Sequence, residues 1–255
     1  METSQYPKLK LEKVYLYGSL PDKKQGYPIL QDISFEIFKG EKVAIVGYPG
    51  AGKTLLLRLI NRLSTPSKGR IFWDGQEYNR VPVILLRKQI VLMPQESKLL
   101  GMTVQEALDY PLLLRNLPQQ VIAQRVRKWR EKLQISYEWL KVTEKQLSSG
   151  QRQLIAIARV LAIEPQILLL DEPTSSLDFT TANLVLRTLK WISQNYQTTI
   201  VMVNHRLDLV EGFCDRLLHL HEGCLILNQT KNMVNWQKLN QNIHNAAYKK
   251  DDFDF

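Results

Sequence analysis

Nowhere does this sequence carry an apolar run approaching the roughly 20 residues that cross a bilayer as a helix. No membrane span is expected. The first ten residues, METSQYPKLK, lack the apolar core of a signal peptide, so secretion is not expected. Cysteine is scarce. Cys214 and Cys224 form neither a C-x-x-C pair nor a disulfide framework. Both thiols are expected to be structural, in a reducing compartment. No internal repeat and no low-complexity linker divides the chain.

What is present is ordinary globular usage. Hydrophobic residues make up 44% and charged residues 23% of 255 positions, which excludes a disordered or fibrous chain. That length suits one large α/β domain, or a core with a smaller satellite. The 34 Lys and Arg exceed the 25 Asp and Glu, giving a net charge of +9. Such a surface is available to nucleic acid or acidic lipid, although a soluble domain that happens to be basic is the simpler account.

Residues 9–17, LKLEKVYLY, alternate and are rich in β-formers, so they predict a strand. The punctuated stretch 18–28 reads as a loop, and 29–38, ILQDISFEIF, as a second strand pairing antiparallel with the first. VAIV at 43–46 is a continuous apolar run, typical of a strand buried on both faces. Leu56, Leu59, Ile60 and Leu63 then fall on one helical face, with Arg58, Asn61 and Arg62 opposite. Residues 103–146 are helix-like and read as an insertion. Strand patterning resumes at 167–171 and 198–203, with a helix through Val185, Leu189 and Ile192 between, and 216–228 resembles a hairpin. The expected organisation is one domain: a core of 1–96 and 160–230, a helical subdomain at 97–159, and a C-terminal helix with a mobile tail at 231–255.

The strand at 43–46 runs into Gly47, Tyr48, Pro49, Gly50, Ala51, Gly52, Lys53 and Thr54, and on into the helix at Leu55. This is the phosphate-loop pattern G-x-x-x-x-G-K-[ST] in its strand–loop–helix setting. Glycines let backbone N–H groups turn inward around a phosphate, and the helix N-terminus adds its dipole. Lys53 supplies a point charge for β- and γ-phosphates, and the Thr54 hydroxyl a ligand for Mg²⁺. ILLLDEP at 167–173 describes a buried strand ending in two acids. Asp171 is placed for the Mg²⁺ shell, and Glu172 to orient an attacking water as general base.

LSSGQ at 147–151, followed by RQLIAIARVL, resembles the signature motif of the ATP-binding cassette (ABC) ATPases. MPQE with Gln95 resembles the family's Q-loop, SSLD with Asp178 its D-loop, and VNHRLD with His205 its switch histidine. These motifs follow the family's order over roughly residues 9–228. Read without the resemblance, Ser148, Ser149, Gly150 and Gln151 are simply a capped helix start. The resemblance implies an α/β fold: a P-loop NTPase core with a mixed, largely parallel sheet, an N-terminal antiparallel β layer and an inserted α-helical subdomain. It implies ATP and Mg²⁺ as cofactors, with Gln95 joining the metal shell and His205 contacting the γ-phosphate. It also implies an adenine stacked on Tyr17, or failing that Tyr15. Two cassettes would close head to tail, the signature of each facing the ATP of the other, with Asp178 crossing between them. The chain departs from the family at Ser149, where glycine is usual.

With no span of its own, such a cassette implies separate integral membrane permease subunits, docked near Gln95 and segment 97–116, and a peripheral place on the cytoplasmic face of the membrane. The rival reading is a soluble ABC ATPase acting on a scaffold, as in iron–sulfur cluster assembly. A nucleic-acid partner is not expected. The basic run Arg125, Arg127, Lys128, Arg130 and Lys132 reads as a solvated helix face.

Overall fold

The computed structural model describes residues 6–18, 26–96 and 98–251. A ten-stranded sheet organises them, in the order β5-β4-β1-β2-β10-β9-β3-β8-β7-β6. Its parallel part comprises β3 (Lys42–Val46), β6 (Ile90–Met93), β7 (Ile167–Asp171), β8 (Thr199–Val203) and β9 (Arg216–His221). In β3, β7 and β8 every residue is buried, as continuous apolar runs require. The antiparallel part comprises β1 (Leu9–Tyr17), β2 (Pro28–Ile37), β4 (Lys68–Trp73) and β5 (Gln76–Glu77). β10 (Cys224–Thr230) completes the expected hairpin with β9. It meets β2 across one parallel rung, Cys224 opposite Gln31, with a Gln31 N–H to Gly223 carbonyl bond of 2.8 Å beside it.

Helices cover both faces. On one lie α1 (Lys53–Ile60) and α2 (Val83–Gln89), packed with the antiparallel layer on Ile45, Leu169 and Val203. On the other lie α5 (Ser149–Ala162), α6 (Phe179–Tyr196), α7 (Leu207–Phe213) and α8 (Trp236–Asp251), packed on Ala44, Leu168 and Met202. The alternation of Leu168 and Leu170 to one cluster, Ile167 and Leu169 to the other, is the strand period of two. Between β6 and α5 the chain inserts α3 (Val104–Leu113) and α4 (Gln119–Lys132), which pack against α5 and each other. The fold is the expected one. Among the described residues no helix is long and apolar enough to cross a membrane.

Three expectations need correction. α1 ends at Ile60 because Arg62 turns left-handed (φ 56°). Leu63 is therefore exposed, Leu57 takes its place in the core, and Asn61 is buried, donating to the Ile90 carbonyl at 2.5 Å. The basic face of α4 is not simply solvated: Arg125 and Lys128 both pair with Glu164, at 2.9 and 2.8 Å, and Lys132 lies over the Trp191 ring. The presumed tail AAYKKD at 246–251 is helical, as its alanines and lysines favour. Phe253, Asp254 and Phe255, and most of the predicted loop at 18–28, lie outside the described residues.

Cys214 is buried, and burial pushes its thiol up to about 11, which suits a structural role. His219 on β9 is also buried, and desolvation lowers it to about 4, with His221 and Lys53 adding to the effect. The unfolded chain takes up this proton near pH 6.5 while the fold refuses it until about pH 4. Stability from this group is therefore complete above pH 6.5 and is lost as pH falls. Denaturant titration is expected to show a loss of about 2 kcal/mol from this source between pH 7.5 and pH 5, absent in His219→Gln.

Candidate nucleotide site

Parallel strands all end at one edge, and the polar chemistry gathers there. The loop 47–52 leaves β3 and enters α1 at Lys53. Gly52 caps α1 in a left-handed conformation (φ 96°) with no side-chain cap bond. A Cβ there would stand 2.7 Å from Leu30 Cδ2, so glycine is required on two counts. The first-turn N–H groups of α1 are thereby left for an external anion. Lys53 is 6% exposed, and its ammonium donates to the Gly47 and Tyr48 carbonyls at 2.8 and 2.9 Å. Burial lowers its pKa, against the pull of Glu172 and Asp171. Pro49, Gly50 and Thr54 are open to solvent, Leu55 is half-buried, and Ala51 is packed in the core.

Asp171 closes β7 and is 3% exposed. The Thr54 hydroxyl hydrogen-bonds its carboxylate, while Oδ1 is buried without a hydrogen-bond partner among the described residues. Desolvation raises its pKa, and the Thr54 bond opposes the rise. A buried, unsatisfied carboxylate oxygen beside a hydroxyl is a hard-cation donor pair. Among the described residues no group of three or more His, Cys, Asp or Glu could hold a metal ion. The Thr54 hydroxyl and the unsatisfied Asp171 oxygen fit Mg²⁺ as a pair of hard oxygen donors.

Glu172 follows in a left-handed conformation (φ 50°), its N–H bonded to the Val203 carbonyl at 3.0 Å. The turn brings two successive acids to the same edge, where strand alternation would separate them. Both carboxylate oxygens are engaged. His205 Nε2 stands 2.7 Å from Oε1, and Gln95 Nε2 donates to Oε2 at 3.1 Å. The segments after β6, β7 and β8 thus converge on one side chain. They line a cleft of about 270 Å³ with Pro49, Gly50, Lys53 and Thr54.

The signature helix stands beside this cleft. Ser148 caps α5, its Oγ accepting from the Gln151 N–H at 3.2 Å, while Gln151 Oε1 accepts from the Ser148 N–H at 2.8 Å. Gly150 is packed so closely that a Cβ would lie 2.9 Å from the Ser176 carbonyl. Ser149 lines a second cleft of about 420 Å³ with Arg152 and Ser176, and Gln95 forms part of the wall of both. Asp178 caps α6, accepting from the Thr181 N–H at 2.9 Å and hydroxyl at 2.6 Å. These bonds hold its pKa below the usual value. Tyr17 does not line the cleft. Its ring stacks on Tyr15 with centroids 6.4 Å apart, under the Lys68 ammonium. It pairs with Pro28, one residue from Ile29, which does line the cleft. Tyr48 is buried, with its ring edge-on to His221.

Sequence reading missed the supports. Gln153 Nε2 donates to the Glu172 carbonyl at 3.1 Å, and Asn204 Nδ2 to Thr174 Oγ1 at 2.8 Å. Both ties are buried or nearly so and fix the backbone that carries the acids. A lone glutamine on the apolar face of α5 was the available signal.

The family model described as ABC transporter matches residues 30–175. Methionine import ATP-binding protein MetN 1 of Pseudomonas syringae pv. syringae is 38% identical over 204 residues, 78% of this chain and 61% of that protein. MetN of Caulobacter vibrioides is 36% identical over 205 residues, 79% of this chain and 61% of that one. The chain thus aligns with about 61% of the length of these relatives. Among solved structures, the dimeric MJ0796, a bacterial ABC transporter cassette, has a TM-score of 0.81 at 26% identity, covering 88% of this chain and 98% of that one. MJ0796 is also known in a post-hydrolysis state bound to ADP and Pi. CbiO1 of Clostridium perfringens, part of the ABC transporter complex cbiONQ, has a TM-score of 0.78 at 28% identity, over 96% and 99% of the two chains. A family model over more than half of the chain, with relatives 36–38% identical over more than three quarters of it, makes the chain a member of the ABC transporter family.

Proposed function

We propose that this cassette binds ATP with Mg²⁺ at Gly47–Thr54 and Asp171, closes head to tail on a second cassette, and through hydrolysis drives separate integral membrane permease subunits. The observation that carries the catalytic reading is the Glu172 carboxylate held between Gln95 and His205 beside the unsatisfied Asp171. The loop N–H groups cradle the phosphates, and Lys53 exchanges two loop carbonyls for phosphate oxygens. Mg²⁺, held by Thr54 and Asp171 and reached by Gln95, supplies charge neutralisation at the phosphates. Glu172 orients the attacking water and accepts its proton, and His205 fixes the carboxylate and meets the γ-phosphate. Tyr17 stacks on the adenine once its ring exchanges the Lys68 ammonium for the base. Ser148–Gln151 close on the nucleotide of the partner cassette, with Asp178 at the same junction. In this reading residues 97–159 act as the subdomain that carries the signature, and 1–96 with 160–230 as the core.

Support for a membrane partner comes from an apolar surface on segment 97–116. Leu100, Tyr110, Leu113 and Leu114 are all exposed there. That patch favours a permease over the scaffold of a soluble ABC ATPase. The dimeric MJ0796 and the cbiONQ complex support the assembly, and the names of the MetN relatives favour import. The place of work is the cytoplasmic face of the membrane, where the +9 charge suits acidic lipid.

Glu172→Gln is expected to lower phosphate release roughly 100-fold or more while ATP still produces a dimer on size-exclusion chromatography. Near-normal hydrolysis would remove Glu172 as base. The double substitution Leu113→Asp, Leu114→Asp is expected to abolish co-purification with an integral membrane subunit and leave basal ATP hydrolysis intact; retained co-purification would place the dock elsewhere. Ser149→Gly is expected to keep turnover and shift the ATP concentration needed for dimerisation. An unchanged ATP dependence would show the serine to be neutral.

A further inference from the structure

Glu172 is held in a backbone conformation that its sequence disfavours. A glutamate at φ 50° is strained, and a residue that precedes proline, as Glu172 precedes Pro173, is biased toward extended backbone. Such a conformation persists where the surroundings fix it. The Glu172 N–H donates to the Val203 carbonyl of β8 at 3.0 Å. The Glu172 carbonyl accepts from the Ser175 N–H at 3.3 Å, from the Ser175 hydroxyl at 3.1 Å and from Gln153 Nε2 at 3.1 Å.

These bonds do different work. The two from Ser175 lie within the turn and travel with it. The Val203 bond, with Asn204 Nδ2 on Thr174 Oγ1 at 2.8 Å, ties the turn to β8 and the residue after it. The Gln153 bond ties it to α5. Gln153 is 4% exposed, and the residues that follow it, Leu154 to Ala158, are all buried and apolar. An amide in that setting is costly unless it is hydrogen-bonded. One turn earlier, Gly150 packs against the Ser176 carbonyl. α5 therefore holds the segment 172–176 at two points, and both lie beside Ser149. Gln153 and Gln95 share the wall of the second cleft with Ser149. One of these amides holds the Glu172 carbonyl, and the other its carboxylate.

We propose that Gln153 is a positioning residue for hydrolysis, through which the seat of α5 sets the aim of the Glu172 carboxylate. The inference rests on Glu172 being the general base, as proposed above. Gln153 acts through the Glu172 peptide. Without its bond, that peptide is free to turn toward extended backbone, which carries the carboxylate away from Gln95 and His205. The loop 47–52 and the Thr54–Asp171 donor pair stand on other peptides and keep their places. The loss falls on turnover and spares nucleotide binding.

Gln153→Met keeps the length of the side chain and removes the donor. Calorimetry is expected to show one MgADP bound per chain, with affinity within about twofold of the native chain, while kcat for ATP falls about tenfold or more and KM stays within about twofold. The deciding measurement is single-turnover ATP cleavage in a double-mutant cycle with Glu172→Gln. Gln153→Met is expected to cost about tenfold or more in the native chain and less than about twofold in Glu172→Gln, because it acts through that carboxylate. General damage to the fold would cost the same factor in both. If the methionine variant fails to fold, Gln153→Asn, whose amide is one methylene too short, goes through the same cycle. Native turnover in a folded Gln153 variant, or equal losses in the two backgrounds, overturns the proposal while leaving Glu172 as base. Near-normal cleavage by Glu172→Gln alone removes the base itself, and this inference with it.

Discussion

A strand buried on both faces has no place for a polar side chain except its ends. β3, β7 and β8 are buried at every residue, and this constraint arranges the rest. Because they run parallel, their carboxyl ends share one edge. The loop 47–52, the two acids and His205 follow these three strands directly. Burial then sets the chemistry. Lys53 and Asp171 are nearly inaccessible, so each is costly to charge alone and is stabilised by the other's field. The Gly47 and Tyr48 carbonyls satisfy Lys53, while Asp171 keeps one buried oxygen without a partner among the described residues.

Much of this was legible in the sequence because the informative segments obey a single local rule. β7 is one continuous apolar run ended by two acids, and the phosphate loop needs its glycines wherever it occurs. β1, β2 and the β9–β10 hairpin appear where expected, although left-handed turns at Lys13 and Asp32 interrupt the alternation of β1 and β2 and β9 is buried at four successive residues. Segments that obey two rules at once were not legible. Residues 83–93, VILLRKQIVLM, fuse α2 to β6 without punctuation, and periodicity cannot separate a short helix from a buried strand there. The end of α1 was misplaced because apolar spacing continues through Leu63 after the backbone has turned at Arg62. The site's supports, Gln153 and Asn204, act through contacts across the fold, which no local pattern encodes.

The signature helix shows how one arrangement serves two ends. Ser148 and Gln151 satisfy each other in a capping box, which is sufficient reason for Ser and Gln at those positions. The same box orders the first turn of α5 and packs Gly150 on the loop that leads to Asp178. Local stability and the placement of Gly150 against Ser176 are here secured by one helix start. Composition alone therefore reads such a start as a cap, and only the neighbouring motifs give it a second meaning.

The antiparallel layer joins the parallel strands through one rung between β10 and β2. Elsewhere in the sheet, neighbouring strands share several. A sheet stitched by a single rung carries little torque across its seam. The layer holding Tyr17 is kept against the strands that carry the 47–52 loop by side-chain packing in a shared buried core, in which Leu30 and Ile33 meet Ile45 and Leu218, more than by backbone bonds.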